Sequence, residues 1–239
     1  MAWAMLPARL ALFFGFQALF AAGFALVTSA DRSTAWARLA AWWPYTATLA
    51  NLVCVCLLFR LFKQEGRSYR DLFRFDRRAG RVKGDLLVML GLLVILGPLS
   101  MLPGPWLGTA IYGDAAIQAR LLILPLPVWA VYTILLPFPL TQGLAELAVY
   151  FMYVMPRLKE LTGRPWLAYG LASFFLGLQH IAIPMYFDWR YMAWRGLMFM
   201  PFAFVVGAAL KWRPRLFPYF AILHGLIDLA AMTVYLIPA

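Results

Sequence analysis

The residues of this chain that could do chemistry are four ionisable side chains inside long apolar segments. They are Glu146, His180, His224 and Asp228, and the two histidines are the only ones in the chain. An ionisable group at membrane depth costs roughly 2.5–3.5 kcal/mol on insertion scales, so each marks a candidate functional site. Because lipid offers no hydrogen-bond partner, four such groups facing lipid independently would be unfavourable. We therefore predict that they line one polar cavity inside the membrane.

These four groups allow three kinds of chemistry. A carboxylate and an imidazole can deprotonate a water, while the second imidazole and Asp228 stabilise the oxyanion that forms when this water attacks an amide. Two histidines and two carboxylates can instead bind zinc, or relay protons in a transporter. The chain has no His-Glu-x-x-His pattern, so zinc is the minor alternative and we expect no cofactor.

Two further polar side chains are expected to support Glu146. If residues 143–155 are helical, Gln142, Glu146 and Tyr150 fall at positions i, i+4 and i+8. This spacing places them on one face of a helix that is otherwise apolar. The sequence therefore predicts Gln142 and Tyr150 as supporting residues of the site.

The elements that must position these groups are membrane helices. The chain has 239 residues, of which 64% are hydrophobic and 13% charged, and its mean hydropathy is +0.76. Soluble domains carry about 25% charged residues. We predict an all-α fold: a single integral membrane domain, residues 1–239, built as a bundle of about seven transmembrane helices. The expected spans are residues 10–30, 39–62, 86–102, 121–155, 165–186, 192–210 and 216–237.

The net charge of +11 is a topology signal, because the basic residues lie in short loops between the spans. We therefore expect a lipid bilayer as a partner, and no nucleic acid. The loop 63–85 holds eight basic and four acidic residues, including Arg77 and Arg78, which predicts that this loop and the N-terminus are cytoplasmic. Within it, residues 70–75 mix aromatic and basic side chains, which fits either a surface helix or a solvated loop.

Two apolar segments allow more than one interpretation. Residues 10–30 fit a retained first helix better than a cleaved signal peptide, because the apolar run exceeds the usual 7–15 residues. Residues 121–155 would form a helix of roughly 50 Å, longer than a membrane is thick, and their four prolines must break it. A single crossing with a re-entrant or interfacial upstream part keeps every basic loop on one side.

The remaining features are assigned to packing and to the membrane interface. Cys54 and Cys56 lie two residues apart in one span, so they point to different faces and form neither a disulfide framework nor a metal motif. Arg190 and Arg195 are expected to flank the sixth span. An aromatic belt beside them is predicted at Trp189, Tyr191 and Trp194.

Three ordered motifs resemble the CPBP (Abi) family of intramembrane proteases, which includes the type II CAAX prenyl endopeptidases. That family shows Glu-Glu-x-x-x-Arg, then Phe-x-x-x-His, then His-x-x-x-Asn/Asp. The matching segments are residues 145–150, 176–180 and 224–228, and the similarity extends over about residues 60–239. The resemblance implies a metal-independent endopeptidase that acts on a peptide or membrane-protein substrate, expected here in a bacterial inner membrane. It also implies that a Glu/His pair activates the water and a His/Asp pair forms the oxyanion site.

The chain departs from the family motifs at three positions. Ala145 stands where the family has its first, water-activating glutamate, Tyr150 replaces the arginine, and Leu176 replaces the phenylalanine. Either Glu146 takes over as the base, or the chain is an inactive member that serves in binding, immunity or transport. On the first interpretation, Ala145→Glu is expected to raise activity.

Overall fold

The chain folds entirely into helices and turns within the residues that the structure describes. The structure is a computed structural model that describes residues 1–76 and 80–236, so the predicted features at Arg77, Arg78 and Ile237 lie outside it. No strand occurs in these ranges. The all-α membrane bundle predicted from composition is confirmed.

Thirteen α-helices follow one another along the described chain, with short 3₁₀ turns and one π-helical segment between them. In chain order the helices are α1 Ala2–Thr28, α2 Arg32–Leu39, α3 Trp43–Gln64, α4 Arg81–Met101, α5 Pro103–Tyr112, α6 Ile117–Leu122, α7 Val128–Ile134, α8 Pro137–Leu147, α9 Met155–Thr162, α10 Pro165–Leu178, α11 Trp189–Met198, α12 Met200–Trp212 and α13 Phe217–Thr233. The π-helical segment Ala148–Val154 joins α8 to α9.

Five helical stretches among the described residues are long and apolar enough to cross a membrane. They are Ala2–Thr28, Arg32–Gln64, Arg81–Tyr112, Trp189–Trp212 and Pro214–Thr233, and a sixth exists if α7 and the helix after it form one bent span. The predicted fifth span, residues 165–186, is a shorter helix that ends at Leu178. The predicted number of about seven is therefore reached only if α10 also crosses.

Two predicted boundaries are wrong. The first helix begins at Ala2, eight residues before the predicted start at residue 10, because Arg9 lies inside the helix and not at its flank. The segment after residue 102, predicted as a loop, contains α5 and α6. Pro103 is the first residue of α5, a position where proline loses no helical hydrogen bond.

The long apolar run 121–155 is broken where its prolines predict. Pro125 and Pro127 lie in a non-helical connection before α7, and Pro137 begins α8. The helices on the two sides of this last break are bent by 43°. Proline cannot continue the helical hydrogen-bond ladder, which explains both interruptions.

The three basic loops meet at one end of the bundle. Arg157, which precedes the turn into α10, donates from Nε to Glu65 at 2.8 Å, and Arg215, which precedes α13, donates from Nε to Asp85 at 2.9 Å. The hydrogen bond from Arg157 also holds the pKa of the Glu65 carboxyl below its usual value. The arrangement agrees with a single crossing of residues 121–155.

The segment at residues 70–75 packs on the bundle through its aromatic side chains. Phe73 meets Phe217 and Phe75 meets Tyr219, with ring centroids 5.2 and 4.9 Å apart. The preceding Tyr69 is buried and donates from its hydroxyl to the Leu144 carbonyl at 2.5 Å. The segment is therefore anchored to α8 and α13.

The two cysteines of α3 occupy different faces, as their spacing predicts. Cys54 is buried in the core and Cys56 is exposed. Neither belongs to a metal-binding group in the described part of the chain.

Helices α8 and α13 approach each other closely because both carry a glycine at the crossing. A Cβ added to Gly143 would lie 2.7 Å from the carbonyl oxygen of Ala221 and 3.6 Å from Gly225. Small residues at such crossings let helix backbones come together in membranes, where packing and polar contacts replace the hydrophobic effect. Glu146 lies three residues after Gly143, and His224 immediately precedes Gly225.

The contact at Gly143 predicts that Gly143→Ala destabilises the protein. The added methyl group meets backbone, which cannot move aside without separating α8 from α13. Overpacking of this kind costs roughly 1–3 kcal/mol, measurable as a lower midpoint of thermal unfolding in detergent. Gly91→Ala in α4 is the matched control, because a Cβ there has no neighbour within 4 Å. Equal stability of the two variants would contradict this account of the helix crossing.

Candidate functional site

Glu146 lies between the two histidines. Its Oε1 is 3.7 Å from Nε2 of His180, and its Oε2 is 3.0 Å from Nε2 of His224. The residue is 1% exposed, so the carboxylate is shielded from lipid and bulk water alike. Three predicted site residues from α8, from the turn after α10 and from α13 thus converge as the sequence indicates.

The hydrogen bonds of His180 determine which of its nitrogens can act as a base. Nδ1 lies 3.0 Å from the carbonyl oxygen of Leu176 and 3.1 Å from that of Gly177. Both carbonyls are at the C-terminal end of α10, and a carbonyl can only accept. Nδ1 therefore carries a proton, and in the neutral ring the lone pair of Nε2 faces Glu146.

His224 lies between two carboxylates. Its Nε2 is 3.2 Å from Oδ2 of Asp228, one turn further along α13, and 3.0 Å from Glu146 on the other side. The same Oδ2 is buried and has no hydrogen bond of good geometry. The imidazole Nε2 is thus within reach of two acidic side chains, and an N–H at this nitrogen can donate to either.

The carboxylate of Glu146 is further stabilised by Arg9, a buried arginine of α1 that directly precedes the predicted start of the first span. Nη2 of Arg9 lies 3.9 Å from Oε1 of Glu146, and Arg9 is fully buried. Its Nε donates to Oε1 of Gln179 at 2.6 Å, and the side-chain amide of Gln179 donates to Glu146. A buried charge requires such compensation, because desolvation alone would be very unfavourable.

Arg9 also ties α1 to α3 and α8. Its Nη1 donates to Oδ1 of Asn51 at 2.6 Å and its Nη2 to Oε1 of Gln142 at 3.1 Å. The Asn51 amide donates to the same Gln142 oxygen at 2.9 Å. Residues from four separate parts of the chain therefore form one connected polar network around Glu146.

The predicted supporting residues both belong to this network. Gln142 accepts from Arg9 and Asn51, and the hydroxyl of Tyr150 donates to Gln179 at 3.3 Å. Tyr150 lies in the π-helical segment, whose wider turn follows directly after Glu146 and Leu147. Such segments are frequent at functional sites.

Four residues of the site are not among those predicted from the sequence: Arg9, Asn51, Gln179 and Arg195. A usable signal exists for Asn51, a polar residue in the middle of a predicted span, and a weaker one for Gln179, which directly precedes His180. Arg9 and Arg195 lie near the ends of predicted spans, where basic residues are common, so only their tertiary contacts identify them.

The prediction that Arg195, Tyr191 and Trp194 lie at the membrane interface is wrong. Arg195, Tyr191 and Trp194 are buried, whereas Trp189 is exposed as an interfacial residue would be. Tyr191 donates to the Pro184 carbonyl at 2.6 Å, and Trp194 donates to the Gly104 carbonyl at 2.9 Å. The Tyr191 hydroxyl and the Trp194 indole N–H thus donate hydrogen bonds to backbone carbonyls inside the bundle.

The backbone that follows His180 is held by side chains from α1 and α2. Gln17 donates to the carbonyl of Met185 at 3.0 Å and accepts from its N–H at 2.8 Å, while Trp36 donates to the same carbonyl at 2.8 Å. These bonds fix the connection between α10 and α11. They therefore contribute to the orientation of His180.

A cavity of about 460 Å³ contains the site. Its walls are mainly Leu, Ile and Phe side chains, and its polar lining consists of Glu146, both histidines, Asp228, Gln142, Arg195, Ser100 and Gln118. Residues of α4, the least buried of the candidate spans, form one wall. The apolar walls, with few convergent polar groups, are typical of a ligand site.

Ala145 does not face this cavity. It is fully buried, belongs to the main apolar core, and is not among the residues that line the cavity. A glutamate at this position would lie in the core and not beside the histidines. The geometry therefore does not support the expectation that Ala145→Glu supplies a base.

No group of three or more His, Cys, Asp or Glu side chains in residues 1–76 and 80–236 is arranged to hold a metal ion.

Comparison with protein-family models, with curated proteins and with solved structures found no match to this chain.

The network around Arg9 predicts a large loss of stability in Arg9→Met. The substitution leaves Glu146 without its guanidinium partner and removes three buried hydrogen bonds. Removing one partner of a buried ion pair costs about 3–5 kcal/mol, measurable by thermal or denaturant unfolding in detergent. Arg9→Lys keeps the positive charge but cannot make all three hydrogen bonds, so its loss of stability should be smaller than that of Arg9→Met.

The control for these variants is Arg60→Met on α3. Arg60 is exposed, so its replacement should change the unfolding midpoint little. If Arg9→Met were as stable as Arg60→Met, the buried network would not stabilise the fold.

Proposed function

We propose that the chain is a metal-independent intramembrane endopeptidase that hydrolyses a peptide bond in the cavity around Glu146. The observation that carries the proposal is the position of Glu146 between His180 and His224, within an apolar cavity of the membrane domain. The resemblance of the three motifs to the CPBP family supports the same activity. Proteolysis requires a base, an oxyanion donor and a shielded site, and the convergent side chains are suited to each role.

In the proposed mechanism, a water donates to Oε1 of Glu146 and to Nε2 of His180. These two acceptors are 3.7 Å apart, so one water can be at hydrogen-bond distance from both. The water oxygen attacks the peptide carbonyl carbon while its proton passes to the Glu146/His180 pair. The proton is then delivered to the amide nitrogen as the C–N bond breaks, giving a carboxylic acid and an amine.

His224 supplies the oxyanion donor in this mechanism. Its Nε2 lies 3.0 Å from Oε2 of Glu146 and 3.2 Å from Oδ2 of Asp228, so the donor is in the same region as both carboxylates. A protonated imidazole stabilises the developing negative charge on the carbonyl oxygen. Asp228 adds a second donor only in its protonated form.

The apolar walls indicate that the substrate is a hydrophobic peptide or a segment of a membrane protein. A second function class uses the same cavity without hydrolysis: binding, immunity or transport by an inactive family member. The observation that favours it is the substitution of two motif positions, Ala145 and Tyr150. A direct test of peptide hydrolysis separates the two classes.

The proposed location is a bacterial inner membrane with the N-terminus in the cytoplasm. The basic loops gathered at one end of the bundle support this orientation, since loops rich in lysine and arginine remain cytoplasmic. Because α1 and α3 pack as consecutive spans, Met1 lies at the same end as that loop cluster.

Peptidase activity should depend on Glu146. Purified wild type is expected to cleave members of a hydrophobic peptide library, and Glu146→Gln, which keeps the shape but not the base, to cleave none. His180→Ala should also be inactive, and His224→Ala should lose a factor of roughly 10²–10³ in kcat. Mass spectrometry of the peptide products provides the measurement, with unfolding midpoints recorded for each variant.

Three outcomes of this assay would contradict the mechanism. Cleavage by Glu146→Gln would show that another group is the base. Activity lost on chelation and restored by stoichiometric zinc would establish a metal enzyme. Activity gained only in Ala145→Glu would identify the natural chain as inactive, whereas we expect that variant to be destabilised by a carboxylate in the apolar core.

Orientation can be measured with single cysteines in a background in which Cys54 and Cys56 are replaced. Arg74→Cys lies in the basic loop and Ala115→Cys in the connection between α5 and α6, and both positions are exposed. A membrane-impermeant maleimide added to intact cells should label residue 115 and leave residue 74 unlabelled. The reverse pattern would contradict a cytoplasmic N-terminus.

A further inference from the structure

Arg195 lies in the cavity wall but forms no ion pair with any carboxylate of the described residues. Arg195 is 6% exposed, and none of the described carboxylates lies within 4.0 Å of its guanidinium. Its donors reach only neutral acceptors: Nε and Nη2 point to the Ile183 carbonyl at 3.3 and 3.1 Å, and Nη1 to Sδ of Met198 at 3.4 Å. A buried guanidinium normally pairs with a carboxylate or a bound anion.

Arg195 is close to the proposed reaction centre. Both Arg195 and His180 line the cavity, and both contact the ring of Phe199. The guanidinium carbon lies 5.2 Å from the centroid of that ring, and the imidazole centroid lies 4.3 Å from it. An anion paired with Arg195 would therefore be positioned within the same cavity as Glu146.

We propose that Arg195 is the binding site for a carboxylate of the ligand, and that the ligand is a hydrophobic peptide anchored through this group. This inference rests on the proposed function in so far as the ligand is the substrate. The ligand carboxylate supplies the charge that the protein leaves unpaired, while the apolar chain fills the Leu and Phe walls of the cavity. Cleavage would then occur close to the anchored carboxylate, because Arg195 and His180 flank one aromatic ring.

The charges in the cavity favour a carboxylate over a phosphate. Glu146 and Asp228 both line the same space, so a doubly charged phosphate experiences more repulsion there than a singly charged carboxylate. The planar guanidinium also matches the geometry of a carboxylate. A lipid phosphate is therefore the competing ligand that the experiment has to separate.

The test is a binding measurement that does not depend on turnover. Full-length protein in detergent is titrated calorimetrically with N-acetyl-leucyl-leucine, which has a free carboxylate, and with its carboxamide. Wild type is expected to bind the carboxylate on the order of tenfold more tightly or better. Arg195→Met should abolish this preference and Arg195→Lys should retain part of it, while Arg190→Met, an exposed arginine on the same helix, should retain all of it.

Equal affinity of wild type for the two probes, or no binding of either, would overturn the proposal, and this comparison holds even if Arg195→Met does not fold. Retention of the preference in Arg195→Met would do the same. Tighter binding of hexyl phosphate than of the carboxylate would assign the site to a lipid headgroup. Selective carboxylate binding without any peptide cleavage would contradict the proposed peptidase while supporting the anion site.

Discussion

The burial of the Glu146 carboxylate is the constraint on which the rest of the structure depends. A single negative charge inside an apolar bundle is tolerated only with several compensating groups around it. Arg9, Gln179 and His224 supply that compensation from α1, from the turn after α10 and from α13. The network therefore links the first helix, the middle of the chain and the last helix.

Backbone geometry allows this network to close. Gly143 and Gly225 remove the side chains that would keep α8 and α13 apart, and the π-helical segment begins directly after Glu146 and Leu147. The turn after α10 completes the arrangement, since His180 satisfies the last carbonyls of that helix with Nδ1 and leaves Nε2 free. The π-helical segment and the turn after α10 thus lie next to the polar side chains that they orient toward the site.

Arg9 and Arg195 illustrate two different uses of a buried guanidinium. Arg9 has its three hydrogen-bond partners and a nearby carboxylate within the protein, so its charge is balanced and its role is to position Glu146. Arg195 has neutral acceptors alone and faces the cavity, so its charge is available to a ligand. A buried arginine whose charge is already balanced by a carboxylate of the protein positions that carboxylate. A buried arginine whose charge is not balanced can bind a ligand.

The sequence by itself determined the all-α membrane fold, the proline breaks and the convergence of Glu146, His180, His224 and Asp228. These follow from composition, from helix geometry and from the cost of polar groups in lipid, which are local or additive properties. Only the tertiary structure decided that Arg9 and Arg195 lie inside the bundle and that Ala145 faces the core. Whether a basic residue near the end of a span is solvated or buried depends on partners distant in sequence: Gln179 is 170 positions from Arg9. The direction of one side chain likewise depends on how neighbouring helices pack, and no pattern along a single helix contains that information.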